Sequence, residues 1–151
     1  YKNIDQLPPF NDYDIRKGRT YMYLKEDPLY PFGYGLSYTE FSFNQISFNK
    51  EQFSINDTIK VNLTLRNIGS RNGSEVPQVY IEHSGVKKLK AFKRIFLESK
   101  ESSVIFFKIP ISDLDLWNSL ENKFSIPKGE YTFHLGTSSS DLLFSQIFTV
   151  K

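Results

Sequence analysis

Cysteine is absent from the 151 residues of this sequence, which also contains only two histidines, one tryptophan and one methionine. The absence of cysteine excludes a disulfide framework, catalysis by a thiolate and any zinc site with cysteine ligands. A domain of this length buries roughly two-thirds of its unfolded surface, so it forms one core without cross-links. The chain is also too short for a large catalytic barrel with its loops.

An excess of one charge and a long apolar run are lacking too. Nineteen basic residues against seventeen acidic ones leave a net charge of +2, which is too small to predict binding to nucleic acid or an anionic membrane. No apolar run approaches the roughly 18 residues of a membrane span, and the first residues have no features of a signal peptide. We therefore expect neither nucleic acid nor membrane as a partner, and any leader or anchor to lie outside this chain.

Aromatic residues are abundant, at 16% of the sequence, and consist mainly of fourteen Phe and nine Tyr. Proteins that bind sugars use aromatic faces, but the cores of β-rich domains favour the same residues. The composition alone leaves both interpretations open.

Residues 1–38 differ from the rest of the chain. They contain four of the seven prolines and three of the eight glycines, which argues against a periodic helix. Nine Tyr and Phe residues lie among them, too many for a disordered linker. We predict an extended, irregular arm that needs a surface to lie on.

Residues 39–151 show short alternating runs separated by turn residues, a pattern typical of antiparallel strands. In residues 58–66, apolar side chains alternate with polar ones. Similar runs occupy residues 76–82, 103–109, 130–135 and 144–150. The alternation changes phase between residues 41–43 and 46–48, which predicts a bulge or a strand that switches sheets. About seven strands in all predict an all-β, immunoglobulin or fibronectin III-like sandwich.

One segment, residues 111–118, has a helical pattern. Ser112 is placed to cap its first turn, and Ile111, Leu114 and Trp117 share a face. We expect one or two turns that close one end of the sandwich, with Trp117 packed in the core. The same tryptophan is the best single candidate for a sugar-stacking platform, although a weak one.

Residues with catalytic potential have simpler structural explanations. The pairs Asp12 with Asp14 and Asp113 with Asp115 lie where aspartate caps turns and helix starts, and not where two carboxylates flank a substrate. His83 and His134 lie on different predicted strands and are expected to be exposed. We therefore predict no catalytic residue, no metal site and no cofactor.

Two predicted loops also contain residue types that occur in catalytic or phosphate-binding motifs. Residues 136–141 contain Ser138 and Asp141, which together with His134 are the residue types of a nucleophilic triad. No GxSxG turn is present to expose the serine, so the sequence does not support a triad. We predict a hairpin connection there. Gly33 and Gly35 form a GxG pattern, but the third glycine and the following helix of a phosphate-binding loop are missing. The sequence therefore does not predict a nucleotide site there.

Longer motifs make the chain resemble the C-terminal end of a family 3 glycoside hydrolase. In the arm these are LPPF at 7–10, DYD at 12–14, GRTYMY at 18–23 and PLYPFGYGLSYT at 28–39. In the sandwich they are NIG at 67–69, GSEVPQVY at 73–80, LKAF at 89–92, GEY at 129–131 and GTSS at 136–139. The resemblance runs from about residue 7 to the end and is similar to the fibronectin type III-like domain of that family.

The resemblance implies a larger parent, periplasmic or secreted, that is a retaining β-glycosidase. In that family the nucleophile is an Asp in a barrel and the acid/base is usually a Glu in a second domain, and neither motif occurs here. It therefore implies that this chain alone is inactive. The GRTY and DYD segments are more similar to β-xylosidases and arabinosidases than to β-glucosidases, although Met22 departs from the Arg of many relatives.

The predicted function is that of a non-catalytic accessory or scaffolding domain, with the catalytic domains of the parent as partners. The arm would then pack against those domains through Tyr21, Tyr23, Phe32, Tyr34 and Leu36. One alternative is a carbohydrate-binding module that grips an oligo- or polysaccharide on exposed aromatic rings. A general adhesion sandwich is the other, and it gives no reason for the run at residues 30–39.

Overall fold

The computed structural model describes residues 1–18, 23–24 and 26–151. Short 3₁₀ turns occur at Ile4–Gln6, Ile15–Lys17 and Ile111–Leu114. The strands are β1 (Phe41–Phe48), β2 (Gln52–Phe53), β3 (Thr58–Asn67), β4 (Gly73–Glu75), β5 (Gln78–His83), β6 (Val86–Phe92), β7 (Ile95–Leu97), β8 (Ser102–Pro110), β9 (Leu116–Asn118), β10 (Lys123–Ser125), β11 (Gly129–Gly136) and β12 (Leu142–Val150).

These strands form two main sheets and two short ribbons. One sheet has the order β1-β3-β8 and the other the order β2-β12-β11-β5-β6, while β4 pairs with β7 and β9 with β10. All pairs are antiparallel except β2 with β12, which is parallel. A single cluster of buried apolar side chains is drawn from both main sheets. The predicted all-β sandwich is confirmed. Its strands outnumber the roughly seven predicted, because several short strands are present in addition.

Strand β3 shows most directly how the sequence builds the core. Its alternate residues Ile59, Val61, Leu63 and Leu65 are buried, as the alternation predicted. Strand β8 pairs with it along its length and adds its own buried alternate residues. Since each fully buried aliphatic side chain contributes about 1.5–3 kcal/mol, this pair of strands supplies a large part of the stability.

The phase change in the first strand proves to be a bulge. The register of β1 against β3 shifts between Asn44 and Ser47. Gln45 lies inside the shift and has a φ of 51°. The extra residue keeps Phe43 and Ile46 on the same side, where both pack against the core.

Tyr131, near the start of β11, forms a tyrosine corner. Its hydroxyl donates a 2.7 Å hydrogen bond to the carbonyl of Pro127, four residues upstream. Its buried ring stacks on Phe148 at 5.4 Å between centroids. Burial raises the pKa of Tyr131 to about 12. A tyrosine that bonds back to the preceding corner is a hallmark of immunoglobulin-like sandwiches.

The helix predicted at residues 111–118 is largely wrong. Only Ile111–Leu114 turns, as a 3₁₀ helix whose N-cap residue is Pro110, with no side-chain capping bond from Ser112. Side chains at i and i+3 eclipse in a 3₁₀ turn, so Ile111 and Leu114 are both buried within one turn. The chain then extends into β9, which removes Trp117 from the face that those two residues share.

No helix in the described ranges is long and apolar enough to span a bilayer.

Candidate functional site

The arm is attached to the sandwich by its backbone at residues 32 and 33. The amide of Ser139 donates a 2.8 Å hydrogen bond to the carbonyl of Phe32. The side-chain amide of Gln78 donates to the carbonyl of Gly33 at 3.3 Å. One turn of the arm is thus fixed to the start of β5 and to the loop between β11 and β12.

Gln78 is buried although it lies on the outer face of the five-stranded sheet. Its amide group also donates to the carbonyl of Thr137, and its Oε1 accepts a 2.6 Å bond from the Tyr80 hydroxyl. Gly33 has a φ of +81°, and a Cβ there would overlap the Gln78 amide. Only glycine therefore allows the arm to approach this closely.

A second attachment lies at Asn67, which is fully buried at the end of β3. Its Oδ1 accepts hydrogen bonds from the Thr39 hydroxyl at 2.7 Å and from the Gly69 amide at 3.1 Å. Its Nδ2 donates to the carbonyls of Arg71 at 2.7 Å and Leu97 at 3.3 Å. One buried amide thus fixes Thr39, the residue that directly follows the arm, to the loop after β3 and to β7.

The side chains of the attached segment remain exposed while its backbone is fixed. Phe32 is 66% exposed, Tyr34 49% and Leu36 89%. Tyr30 lies beside Tyr34, with ring centroids 5.3 Å apart. Among the other residues predicted to pack between domains, Tyr23 is partly buried and Tyr21 lies outside the described residues. The result is a row of apolar side chains held in place and open to solvent.

Two adjoining cavities lie where this segment meets the sandwich. The first, of about 390 Å³, is lined by residues 33–37 and 74–76 and by Thr137, Ser138 and Asp141. The second, of about 330 Å³, shares Glu75, Thr137 and Asp141 with the first and continues over the partly buried rings of β1. We call the two together the junction groove.

Trp117 is not in the core, contrary to the prediction. It lies on the β9–β10 hairpin, is 54% exposed, and meets Phe124 edge-on at 5.3 Å between centroids. Leu120 at the tip of the hairpin is almost fully exposed. The hairpin therefore presents an apolar surface at a site separate from the arm.

The two histidines lie on different strands, as predicted, but neither is exposed, since both are partly buried. It lies on β11 between two other strands, with Nδ1 2.7 Å from the Ser145 hydroxyl and Nε2 3.3 Å from Glu82. His83 Nδ1 donates a 2.8 Å hydrogen bond to the Glu130 carbonyl, and its ring stacks on Tyr131. In the part of the chain that is described, no three side chains are grouped to hold a metal ion.

The serine-rich loop is the predicted hairpin connection between β11 and β12. Ser138 Oγ accepts hydrogen bonds from the amides of Ser140 at 3.3 Å and Asp141 at 3.0 Å, while the nearby hydroxyl bonded to His134 is that of Ser145. Ser138, Asp141 and His134 therefore do not form a nucleophilic triad.

The paired aspartates of the arm stabilise a turn, as predicted. Asp14 accepts from the Arg16 backbone at 3.1 Å, and its side-chain bond to Arg16 holds the pKa of Asp14 below its usual value. The bond from Lys17 does the same for the pKa of Asp12. Both carboxylates therefore remain ionised and paired, which suits capping better than proton transfer.

Two sheets around one core, closed by a tyrosine corner, define a β-sandwich of the immunoglobulin and fibronectin III-like class. Residues 75–139 match the family model described as a fibronectin type III-like domain. That match covers β5 through β11 and includes Gln78, Tyr131 and the start of the serine-rich loop.

Comparison with known proteins extends the match over the arm. The chain is 36% identical over 146 residues to a xylan 1,4-beta-xylosidase of Xylanibacter ruminicola, covering 93% of this chain and 16% of that protein. It is 32% identical to the thermostable beta-glucosidase B of Acetivibrio thermocellus, covering 83% of this chain and 17% of that protein. A solved GH3 beta-glucosidase of Bifidobacterium adolescentis superposes with a TM-score of 0.71 at 31% identity, covering 80% of this chain and 18% of that one.

A glucose complex of a beta-glucosidase from Listeria innocua superposes with a TM-score of 0.76 at 30% identity, covering 89% of this chain and 20% of that one. The chain is therefore similar to the region of family 3 glycoside hydrolases that carries a fibronectin type III-like domain. It spans about a fifth or less of the relatives it matches, each of which is a much longer protein. The resemblance drawn from the sequence is confirmed.

Proposed function

We propose that this chain is a non-catalytic scaffolding region that holds the catalytic domains of a larger glycosidase through its arm. The observation that carries the proposal is the attached segment, whose backbone is bonded to the sandwich while Phe32, Tyr34 and Leu36 are exposed. The division into an arm at 1–38 and a sandwich at 39–151 is part of the proposal. Tyr21 and Tyr23 would extend the same contact.

The fixed backbone makes such a contact energetically favourable. Burying a large apolar side chain contributes about 1.5–3 kcal/mol. Association normally loses part of this gain through the ordering of flexible segments at the interface. Here Gln78 and the Ser139 amide already order the backbone of the segment, so most of the gain remains for docking.

The parent would hydrolyse β-xylosidic, arabinosidic or β-glucosidic bonds. This proposal draws on the printed activities of the relatives, which include both a β-xylosidase and β-glucosidases. The GRTY and DYD segments favour the xylosidase and arabinosidase side. The isolated chain should leave an aryl β-xyloside unchanged, and measurable turnover by it would contradict the non-catalytic role.

The docking role is tested in the full-length parent with Phe32→Ser and Leu36→Ser. Both side chains are exposed in this chain, so neither change should disturb the sandwich itself. We expect a lower Tm of the catalytic domains and faster protease cleavage at residues 1–38. Phe106→Ser is the matched control, since Phe106 is similarly exposed on β8. An equal effect of all three changes would contradict docking through the arm.

A second candidate function is carbohydrate binding at the β9–β10 hairpin. The exposure of Trp117 beside Phe124 favours it, because an exposed indole ring can stack on a sugar. Calorimetry with soluble xylan or glucan tests the idea. Binding that Trp117→Ala abolishes would support it, and no binding by the unchanged chain would contradict it.

A further inference from the structure

The junction groove combines three kinds of group on its walls. Its two cavities, of about 390 and 330 Å³, have the size of small-molecule sites. They meet at Glu75, Thr137 and Asp141, so a ligand longer than either cavity would pass these side chains. The nature of the ligand follows from the hydrogen-bonding capacity left free there.

Glu75 and Asp141 supply free acceptors. Glu75 Oε1 accepts a 2.8 Å bond from the Val76 amide, and Asp141 Oδ2 accepts from the Thr137 hydroxyl. Each carboxylate thus uses one oxygen within the protein. Neither has a Lys, Arg or His partner within 4.0 Å among the described residues, whereas Asp12, Asp14 and Asp57 do.

Ser138 supplies a free donor on the same wall. It is only 3% exposed, and its Oγ accepts from two backbone amides. A hydroxyl has one proton to donate, and that of Ser138 bonds to no acceptor in the described part of the chain. Because Ser138 lines the first cavity, this proton is available to an acceptor of a ligand bound there.

Tyr34 supplies an apolar face. Its ring lines the first cavity and is half exposed, with the backbone of its neighbour Gly33 held by Gln78. Phe41 and Phe43 continue the apolar surface into the second cavity. A ring-shaped ligand with apolar C–H edges therefore has a fixed aromatic surface beside the polar groups.

These groups together discriminate between ligand classes. An anion would be repelled by the two carboxylates, and an apolar ligand would leave them desolvated without partners. A cationic amine would satisfy the carboxylates but offers no acceptor to Ser138. Sugar hydroxyls both donate and accept, and the C–H face of a sugar ring fits an aromatic side chain.

We propose that the junction groove binds a short neutral oligosaccharide, with one sugar ring on Tyr34 and hydroxyls bonded to Glu75, Asp141 and Ser138. This site is distinct from the Trp117 hairpin, but it shares Tyr34 and Leu36 with the proposed docking surface. It adds a binding activity at the position where the arm would enter the catalytic part of the parent, and sites at domain junctions are common places for ligands.

The test is to titrate the chain with xylotriose and, separately, with cellotriose. Binding is measured by calorimetry and by the fluorescence of Trp117, the single tryptophan. We expect saturable binding of at least one of them below about 10 mM and little change in tryptophan emission. Tyr34→Ala and Glu75→Gln should each weaken binding about tenfold. Phe106→Ala, an exposed aromatic on β8, is the matched control and should bind normally.

Each other outcome overturns the proposal. No saturable binding of either sugar would do so. The same holds for binding that survives Tyr34→Ala and Glu75→Gln but is lost in Trp117→Ala, which would place the sugar on the hairpin. Binding of a lysine-rich peptide in place of sugars would identify an acidic docking site instead. Glu75→Gln preserves the shape of the side chain, so it remains informative if Tyr34→Ala unfolds, which circular dichroism detects.

Discussion

The sandwich and the arm use aromatic side chains in opposite ways. In the sandwich, Phe53, Phe133 and Phe148 are buried and meet one another or Phe48 at 5.1–6.0 Å between centroids. In the arm, Phe10, Phe32 and Tyr38 are mostly exposed. The alternating sequence of the strands turns its rings inward, whereas the arm has no alternation and no second layer of its own. The same composition therefore gives a core in one region and an open surface in the other.

The largest expected difference between the regions comes from truncating one ring in each. Phe133→Ala removes a fully buried ring and should lower the free energy of unfolding by about 3–5 kcal/mol. Phe32→Ala removes an exposed ring and should change it by about 0.5 kcal/mol or less in the isolated chain. Urea denaturation measures both. Similar losses from the two changes would break the comparison.

The tyrosine corner should make the sandwich sensitive to alkali. The pKa of Tyr131 is about 12 in the folded chain and its ordinary value is 10.0, so the unfolded state loses its proton first. The burial of protonated Tyr131 therefore contributes fully to the free energy of unfolding below pH 10. This contribution, about 2–3 kcal/mol, is lost as the pH rises to about 12. Unfolding of the unchanged chain and of Tyr131→Phe, followed from pH 8 to 12, measures it.

Tyr131→Phe cannot ionise at this position, so its stability should fall less steeply above pH 10. It also loses the bond to Pro127, which should lower its stability at neutral pH by about 1 kcal/mol. If the free energy of unfolding falls equally in the unchanged chain and in Tyr131→Phe between pH 8 and 12, the tyrosine corner does not cause the sensitivity to alkali.

The attachment of the arm should depend on Gln78 more than on any exposed glutamine. Gln78→Ala leaves the Tyr80 hydroxyl and the Gly33 and Thr137 carbonyls without this partner, at a cost of about 1–3 kcal/mol. Trypsin should then cleave the arm faster. Gln146→Ala on β12 is the matched control, since the one side-chain bond of Gln146 within the described ranges goes to its neighbour's carbonyl. Equal cleavage rates in both variants would argue against the attachment.

The sequence predicted the core of the sandwich well because alternation reports burial directly. Ile59, Val61, Leu63 and Leu65 lie where period two places them, and the phase change at Gln45 correctly indicated a bulge. Trp117 was misplaced because Ile111 and Leu114 fit a helix and a 3₁₀ turn equally well. Nothing in the local pattern showed that the chain would extend after Leu114.

The attachment of the arm could not be derived from alternation. Gln78 occupies an outward position of β5, where a polar residue is expected to be solvated, but the Gly33 turn of the arm and the Thr137 loop both bond to its buried side chain. His134 was misjudged for the same reason, since the strands on both sides shield it. Pairings between distant segments decide both cases. Gly33, whose φ excludes most other residues, carried a local signal of close approach.

The central claim is that the exposed row on the arm is a docking surface for the catalytic domains. Hydroxyl-radical footprinting of Phe32, Tyr34 and Leu36, in this chain alone and in the full-length parent, tests it most directly. We predict strong oxidation of all three in the isolated chain and clear protection in the parent, with Phe106 oxidised equally in both. Equal oxidation of the arm residues in the two proteins would contradict the claim.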